Sequence, residues 1–103
     1  MVIELENELQ FDELINNGVS LVDFNATWCG PCRMLKPIFH EASENLSEVK
    51  FIGVDVDKFG SLAGRYGVRA VPTLVLIKNG AVVDIKTGLM QKESLVAFAK
   101  KAL

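Results

Sequence analysis

Cysteine and histidine are scarce in this chain of 103 residues, which contains two cysteines and a single histidine, His40. Small secreted domains that depend on disulfide bonds carry several cysteine pairs, so the chain is not such a scaffold. A structural zinc site takes about four cysteine or histidine ligands, more than the chain offers. Half of the residues are hydrophobic, which is enough for an ordinary buried core.

A strong excess of charge is also missing. The chain has 11 basic and 13 acidic residues, a net charge of −2, which argues against a nucleic-acid surface or an anionic membrane as partner. No apolar run approaches the roughly 20 residues of a membrane span. Residues 1–6 are acidic and do not resemble a secretory signal. We therefore expect a cytoplasmic or already trimmed protein, monomeric, with one domain over residues 1–103.

Hydrophobic periodicity predicts strands and helices in the order β-α-β-α-β-α-β-β-α. Early alternation of strand and helix favours parallel strands covered by helices. Asn79-Gly80 indicates a hairpin that joins the last two strands as an antiparallel pair. The predicted fold class is α/β, with a central mixed sheet flanked by helices on both faces. The strands are predicted at 2–5, 19–26, 51–56, 74–77 and 81–87.

Both cysteines lie in Trp28-Cys29-Gly30-Pro31-Cys32, where a predicted strand passes into a predicted helix. Pro31 suits a first helical turn, and residues three apart on one turn are close enough for a disulfide. A helix N-terminus also stabilises the reactive thiolate. We expect Cys29 to lie near solvent and Cys32 to be shielded, as reversible thiol–disulfide exchange requires. Two inert buried cysteines remain the alternative.

Asp23 is a second candidate, because it lies among apolar residues in a predicted strand. If that strand is covered on both faces, burial raises the pKa of Asp23 and makes it a proton acceptor for a nearby thiol. The alternative is a carboxylate on an exposed face. Pro72 either opens a strand or has a role at the site. Trp28 is either packed in the core or exposed as a binding contact beside the thiols.

Together these features resemble the thioredoxin family. The resemblance covers nearly the whole chain, and its segments occur in order and at family-like spacing. It implies the thioredoxin fold, with a mixed sheet between two layers of helices. The segments that carry it are Asp23-Phe24, Trp28-Cys29-Gly30-Pro31-Cys32, Pro37, Val71-Pro72-Thr73, Asn79-Gly80 and Gly88.

The resemblance implies a protein-disulfide reductase and electron carrier. Cys29 would attack the disulfide of a target protein, and Cys32, deprotonated with help from Asp23, would resolve the mixed disulfide. Thioredoxin reductase, in most members an NADPH-dependent flavoprotein, would return the electrons, with no cofactor or metal bound to the chain itself. Pro72 would be cis and face the cysteines. The implied substrate-binding residues are Trp28, Gly30, Pro31, Val71, Pro72 and Gly88.

The sequence departs from the family at two positions. Asn25 stands where many members have a second tryptophan, and Gly53 stands where many have a buried lysine. Without that ammonium group we expect the pKa of Asp23 to be higher.

Two other functions remain open at this point. One is a thioredoxin-like binding subunit of a partner complex, in which the redox state is incidental. The other is an oxidase or isomerase that uses the same motif in the opposite direction. Gly30-Pro31 between the cysteines is typical of the reducing type.

Overall fold

A computed structural model describes all residues from 1 to 103 and contains five strands and four helices. Their order along the chain is the predicted one. The elements are β1 (Val2–Glu4), α1 (Glu8–Ile15), β2 (Val19–Asn25), α2 (Gly30–Asn45), β3 (Val49–Asp55), α3 (Gly60–Arg65), β4 (Thr73–Lys78), β5 (Ala81–Thr87) and α4 (Lys92–Lys100).

The five strands form one mixed sheet in the order β1-β3-β2-β4-β5. The strands β1, β3 and β2 are parallel, whereas β4 and β5 run antiparallel to their neighbours. The predicted mixed sheet is therefore confirmed. The central strand is β2, and its carboxyl end leads directly into the segment that holds the cysteines.

Two hydrophobic layers cover the two faces of the sheet. Side chains of a strand alternate between faces, so Leu21 and Val22 of β2 belong to different layers. Leu21 packs in a cluster with residues of α2 and α4, and Val22 packs in a cluster with residues of α1 and α3. Asp23 shares the face of Leu21, which turns its side chain toward α2.

The ends of several elements follow from local chemistry. Asn7 caps α1 by accepting the backbone N–H of Gln10 at 2.9 Å. The predicted hairpin is confirmed: Asn79 and Gly80 have φ angles of 49° and 83°, the left-handed pair that a tight hairpin needs. Such turns are encoded locally, which is why the sequence predicts them well.

One large apolar residue of helix α2 faces solvent. Met34 is 61% exposed, because the buried face of the helix runs through Leu35, Phe39 and Ala42. Pro37 lies inside the helix, which continues past it. None of the helices combines the length and the apolar character needed to cross a membrane.

Candidate active site

The two cysteines lie at the N-terminus of α2 and are joined by a disulfide bond, with their Cα atoms 5.2 Å apart. Cys29 is the N-cap residue, and its Sγ accepts the backbone N–H of Cys32 at 3.2 Å. Gly30 and Pro31 form the start of the helix, where backbone N–H groups have no partner in the helix and the missing N–H of proline therefore costs nothing. A sulfur in this position is stabilised as an anion by the helix dipole and the free N–H groups.

The expected difference in exposure between the cysteines is absent. Cys29 is 5% exposed and Cys32 is 4% exposed, so the expectation that Cys29 lies near solvent is wrong for the disulfide form. Ala26 packs against both cysteines, and the half-buried Val71 covers them from another part of the chain. The carbonyl oxygen of Val71 lies 3.6 Å from Cys29 Sγ.

The segment that covers Cys29 is held by Pro72 and Gly88. The Val71–Pro72 peptide bond is cis, as the resemblance implied. Gly88 donates its N–H to the carbonyl of Pro72 at 2.8 Å and has a φ angle of 103°, which favours glycine. The hydroxyl of Thr73 donates to the carbonyl of Ala70 at 2.6 Å. The structure thus brings residues 71, 72 and 88 together, and Val71 is the one of them that contacts the cysteines.

Trp28 is exposed rather than packed in the core, with 66% of its surface accessible. Its indole N–H donates to Oδ2 of Asp57 at 2.9 Å, which fixes the ring beside the cysteines. A shallow groove of about 150 Å³ lies between Trp28 and the segment that ends at Val71. The sequence pattern does not point to Asp57, because nothing in it relates this residue to one 29 positions earlier.

Asp23 is buried in β2, with 4% of its surface exposed, and its Oδ1 atom has no hydrogen-bond partner. Burial in the sheet, and then the negative charge of Glu4, raise the pKa of Asp23 to about 7. Asn25 and the ammonium of Lys36 oppose this rise. The amide of Asn25 donates to the backbone carbonyl of Asp23 at 3.1 Å. The predicted raised pKa of a covered carboxyl is confirmed.

One cavity connects Asp23 with the second cysteine. Asp23 and Cys32 both line an opening of about 90 Å³, together with Glu4, Lys36 and Gly53. A carboxyl with a pKa near neutrality is well suited to take a proton from a thiol and release it again. The structure contains no group of three or more His, Cys, Asp and Glu side chains that could hold a metal ion.

Comparison with known proteins points to one family. The profile of the thioredoxin family matches residues 2–101 of the chain. The thioredoxin of Bacillus subtilis is 38% identical over 104 aligned residues, which cover the whole of both chains. The thioredoxin of Staphylococcus aureus is 39% identical over the same length and coverage.

Solved structures give the same result. A mutant thioredoxin from Halobacterium salinarum superposes with a TM-score of 0.90 at 35% identity, covering 98% of this chain and 89% of that one. Thioredoxin NaTrxh from Nicotiana alata superposes with a TM-score of 0.90 at 34% identity, covering 98% and 91%.

Proposed function

This chain belongs to the thioredoxin family, and from that premise we propose the part that each residue of its site takes in reducing protein disulfides. The protein is a thiol–disulfide oxidoreductase that works by dithiol–disulfide exchange. It carries electrons on its own cysteine pair and receives them from an external reductase. The observation that carries the proposal is the Cys29–Cys32 bond at the N-terminus of α2, beside a buried carboxyl.

In the first step Cys29 is the nucleophile. Its thiolate attacks one sulfur of the target disulfide, a bond forms between the two sulfurs, and the other target sulfur leaves as a thiolate. The N-cap position of Cys29 and the backbone N–H of Cys32 support this role, because both stabilise the thiolate.

In the second step Cys32 resolves the mixed disulfide. Asp23 accepts the proton of the Cys32 thiol, and the new thiolate attacks Cys29. The Cys29–Cys32 bond forms again as the bond between Cys29 and the target breaks, and the target leaves with its second sulfur reduced to a thiolate. A pair of electrons has then passed from the cysteines of this protein to the target. The cavity shared by Asp23 and Cys32 supports this assignment.

The target docks on the surface around the disulfide. We assign this surface to the residues that the family resemblance implies: Trp28, Gly30, Pro31, Val71, Pro72 and Gly88. The backbone of Val71 pairs with the extended target segment as an added strand. Support comes from the exposed indole of Trp28, fixed by Asp57, and from the bond between Gly88 and Pro72.

The partners follow from this chemistry. The electron donor is a thioredoxin reductase of the NADPH-dependent flavoprotein type, and the acceptors are proteins that contain disulfides. The protein works as a monomer in the cytoplasm, as a single domain over residues 1–103, without nucleic-acid or membrane partners. The balanced charge supports the last point.

Reduction of insulin disulfides tests the assignment of the two cysteines. With dithiothreitol present to regenerate the cysteine pair, the protein should cleave them catalytically, and Cys29→Ser should abolish the activity because the nucleophile is lost. Cys32→Ser should also stop turnover, and without the reductant it should accumulate a mixed disulfide on Cys29 that mass spectrometry detects. A mixed disulfide that accumulates in Cys29→Ser and not in Cys32→Ser would show that the roles are reversed.

A further inference from the structure

Glu4, Gly53 and Asp23 lie in one row across three neighbouring strands. Glu4 of β1 is in register with Gly53 of β3, and Gly53 is in register with Asp23 of β2. Residues in register on neighbouring parallel strands present their side chains to the same face of the sheet. Glu4 and Asp23 therefore face the same side, with only a glycine between them.

The carboxylate of Glu4 occupies the space that Gly53 leaves open. A Cβ atom built on Gly53 would lie 2.6 Å from Oε2 and 3.1 Å from Oε1 of Glu4. Glu4 thus folds over the glycine toward β2 and lines the same cavity as Asp23 and Cys32. Any side chain at position 53 would have to displace it. The absence of a side chain at Gly53 is what allows two carboxyl groups to approach each other.

The two carboxyl groups differ in their access to water. Glu4 is exposed, whereas Asp23 is buried and its Oδ1 has no hydrogen-bond partner. Two neighbouring carboxylates disfavour each other's charge, and the buried member of such a pair is the one that keeps a proton. The negative charge of Glu4 therefore favours the protonated form of the buried Asp23.

The remaining groups around Asp23 are few. Helix α2 presents Arg33, Lys36 and His40 to the cavity, and the strands β3 and β4 face Asp23 with Gly53 and Leu74, which carry no charge. Of the cations, Lys36 favours the ionised form of Asp23. Beside burial, which is the largest cause, the proton on Asp23 is favoured by an anion from β1 and opposed by a cation from α2.

We propose that Glu4 is a positioning residue of the redox site, whose carboxylate over Gly53 governs the exchange of a proton between Asp23 and the Cys32 thiol. This inference rests on the proposed role of Asp23 as proton acceptor. The proton passes from Cys32 Sγ to the Asp23 carboxylate, and Glu4 neither reacts with a sulfur nor carries electrons. Its charge adds to the effect of burial and raises the pH above which Asp23 is free to accept the proton.

Glu4→Gln tests the inference, with Glu6→Gln as matched control. Both substitutions remove one negative charge from an exposed side chain, two positions apart in the sequence, but Glu6 does not line the cavity. In the oxidised protein, carbon-13 NMR should show the Asp23 carboxyl titrating at lower pH in Glu4→Gln, by about one pH unit for a partly screened charge. Glu6→Gln should leave the titration close to that of the wild type.

Kinetics test whether the charge matters for the reaction. Reduced protein is mixed with 5,5′-dithiobis(2-nitrobenzoate), which releases one coloured thiolate when Cys29 attacks and a second when Cys32 resolves. At pH 6, Glu4→Gln should release the second thiolate about fivefold faster than the wild type, because a larger fraction of Asp23 is ionised. Lys36→Met should act in the opposite direction and slow the second release at this pH.

Asp23→Asn distinguishes a failure of the proposed role of Asp23 from a failure of the inference about Glu4. If it leaves the second release unchanged, Asp23 is not the proton acceptor and the proposed mechanism fails at that step. If it slows the second release while Glu4→Gln moves neither the titration nor the rate more than Glu6→Gln, only the inference about Glu4 is overturned. A shifted NMR titration without a change in the rate overturns it as well.

Discussion

At the scale of single residues, the carboxyl of Asp23 links the chemistry of the site to the stability of the protein. Folding raises the pKa of this group from 3.8 to about 7, chiefly by burial. Between these two pH values the folded state holds a proton that the unfolded state has released. The free energy of unfolding therefore falls as the pH rises through this range. Below the range, Asp23 is protonated in both states and does not reduce the stability.

Asp23→Asn should remove this pH dependence, because the amide stays neutral. At pH 8 the variant should be more stable than the wild type by up to about 4 kcal/mol, and this advantage should largely vanish at pH 4. Urea unfolding at both pH values measures the difference. Glu13→Gln, on the exposed side of α1, serves as control. An equal difference between Asp23→Asn and wild type at both pH values would contradict the assigned pKa.

The residues of the site that the sequence predicted are those that lie close together along the chain or in a family motif. Cys29, Cys32 and Asp23 belong to this group. Glu4 and Asp57 were missed, because they reach the site only through the order of the strands, which periodicity does not reveal. The exposure of Cys29 was misjudged for a similar reason, since Val71 covers it from 42 positions away.

At the scale of elements, the C-terminal end of helix α1 depends on a residue of strand β3. The last turn of α1 contains no basic residue that could neutralise its free carbonyl groups. Lys50 of β3 provides that charge instead, because its Nζ donates to the carbonyls of Leu14 and Asn17, each at 2.6 Å. These two hydrogen bonds join the end of α1 to the sheet.

Lys50→Met should therefore destabilise the protein, although it keeps most of the apolar part of the side chain. We expect a loss of about 1–2 kcal/mol, since two carbonyl groups lose a charged donor. Lys58→Met is the control, because no hydrogen bond or ion pair involves the side chain of Lys58. Chemical denaturation of both variants gives the comparison, and equal losses would show that the two carbonyl bonds contribute nothing specific.

The elements themselves were well predicted, for a physical reason. Helices and strands arise from periodic apolar residues, and the hairpin arises from Asn79-Gly80, all of which are local signals. The position of β1 beside β3 is not local. It follows from the packing of the whole sheet, and the row of Glu4, Gly53 and Asp23 could not be predicted without it.

At the scale of the whole molecule, the redox bond closes only a very small ring. The bond spans three positions in the sequence, whereas the two hydrophobic layers hold together residues from all parts of the chain. The fold therefore depends mainly on its core, and the state of the cysteines should alter its stability only modestly. A carrier that passes between oxidised and reduced forms requires this property.

We expect the oxidised protein to be more stable than the reduced protein by about 2 kcal/mol, the chain-entropy value for so short a ring. Unfolding in urea with and without dithiothreitol measures this difference. The double variant Cys29→Ser, Cys32→Ser should not respond to the reductant. A much larger difference would mean that reduction loosens the core as well as the ring.

The place of Trp28 has a practical consequence. It is the only tryptophan of the chain, it is exposed, and it directly precedes the redox pair in sequence. All indole emission of the molecule therefore originates at one spot on its surface. A change in this fluorescence during a reductive titration, or when a second protein binds over the disulfide, therefore reports on the cysteines without an attached dye.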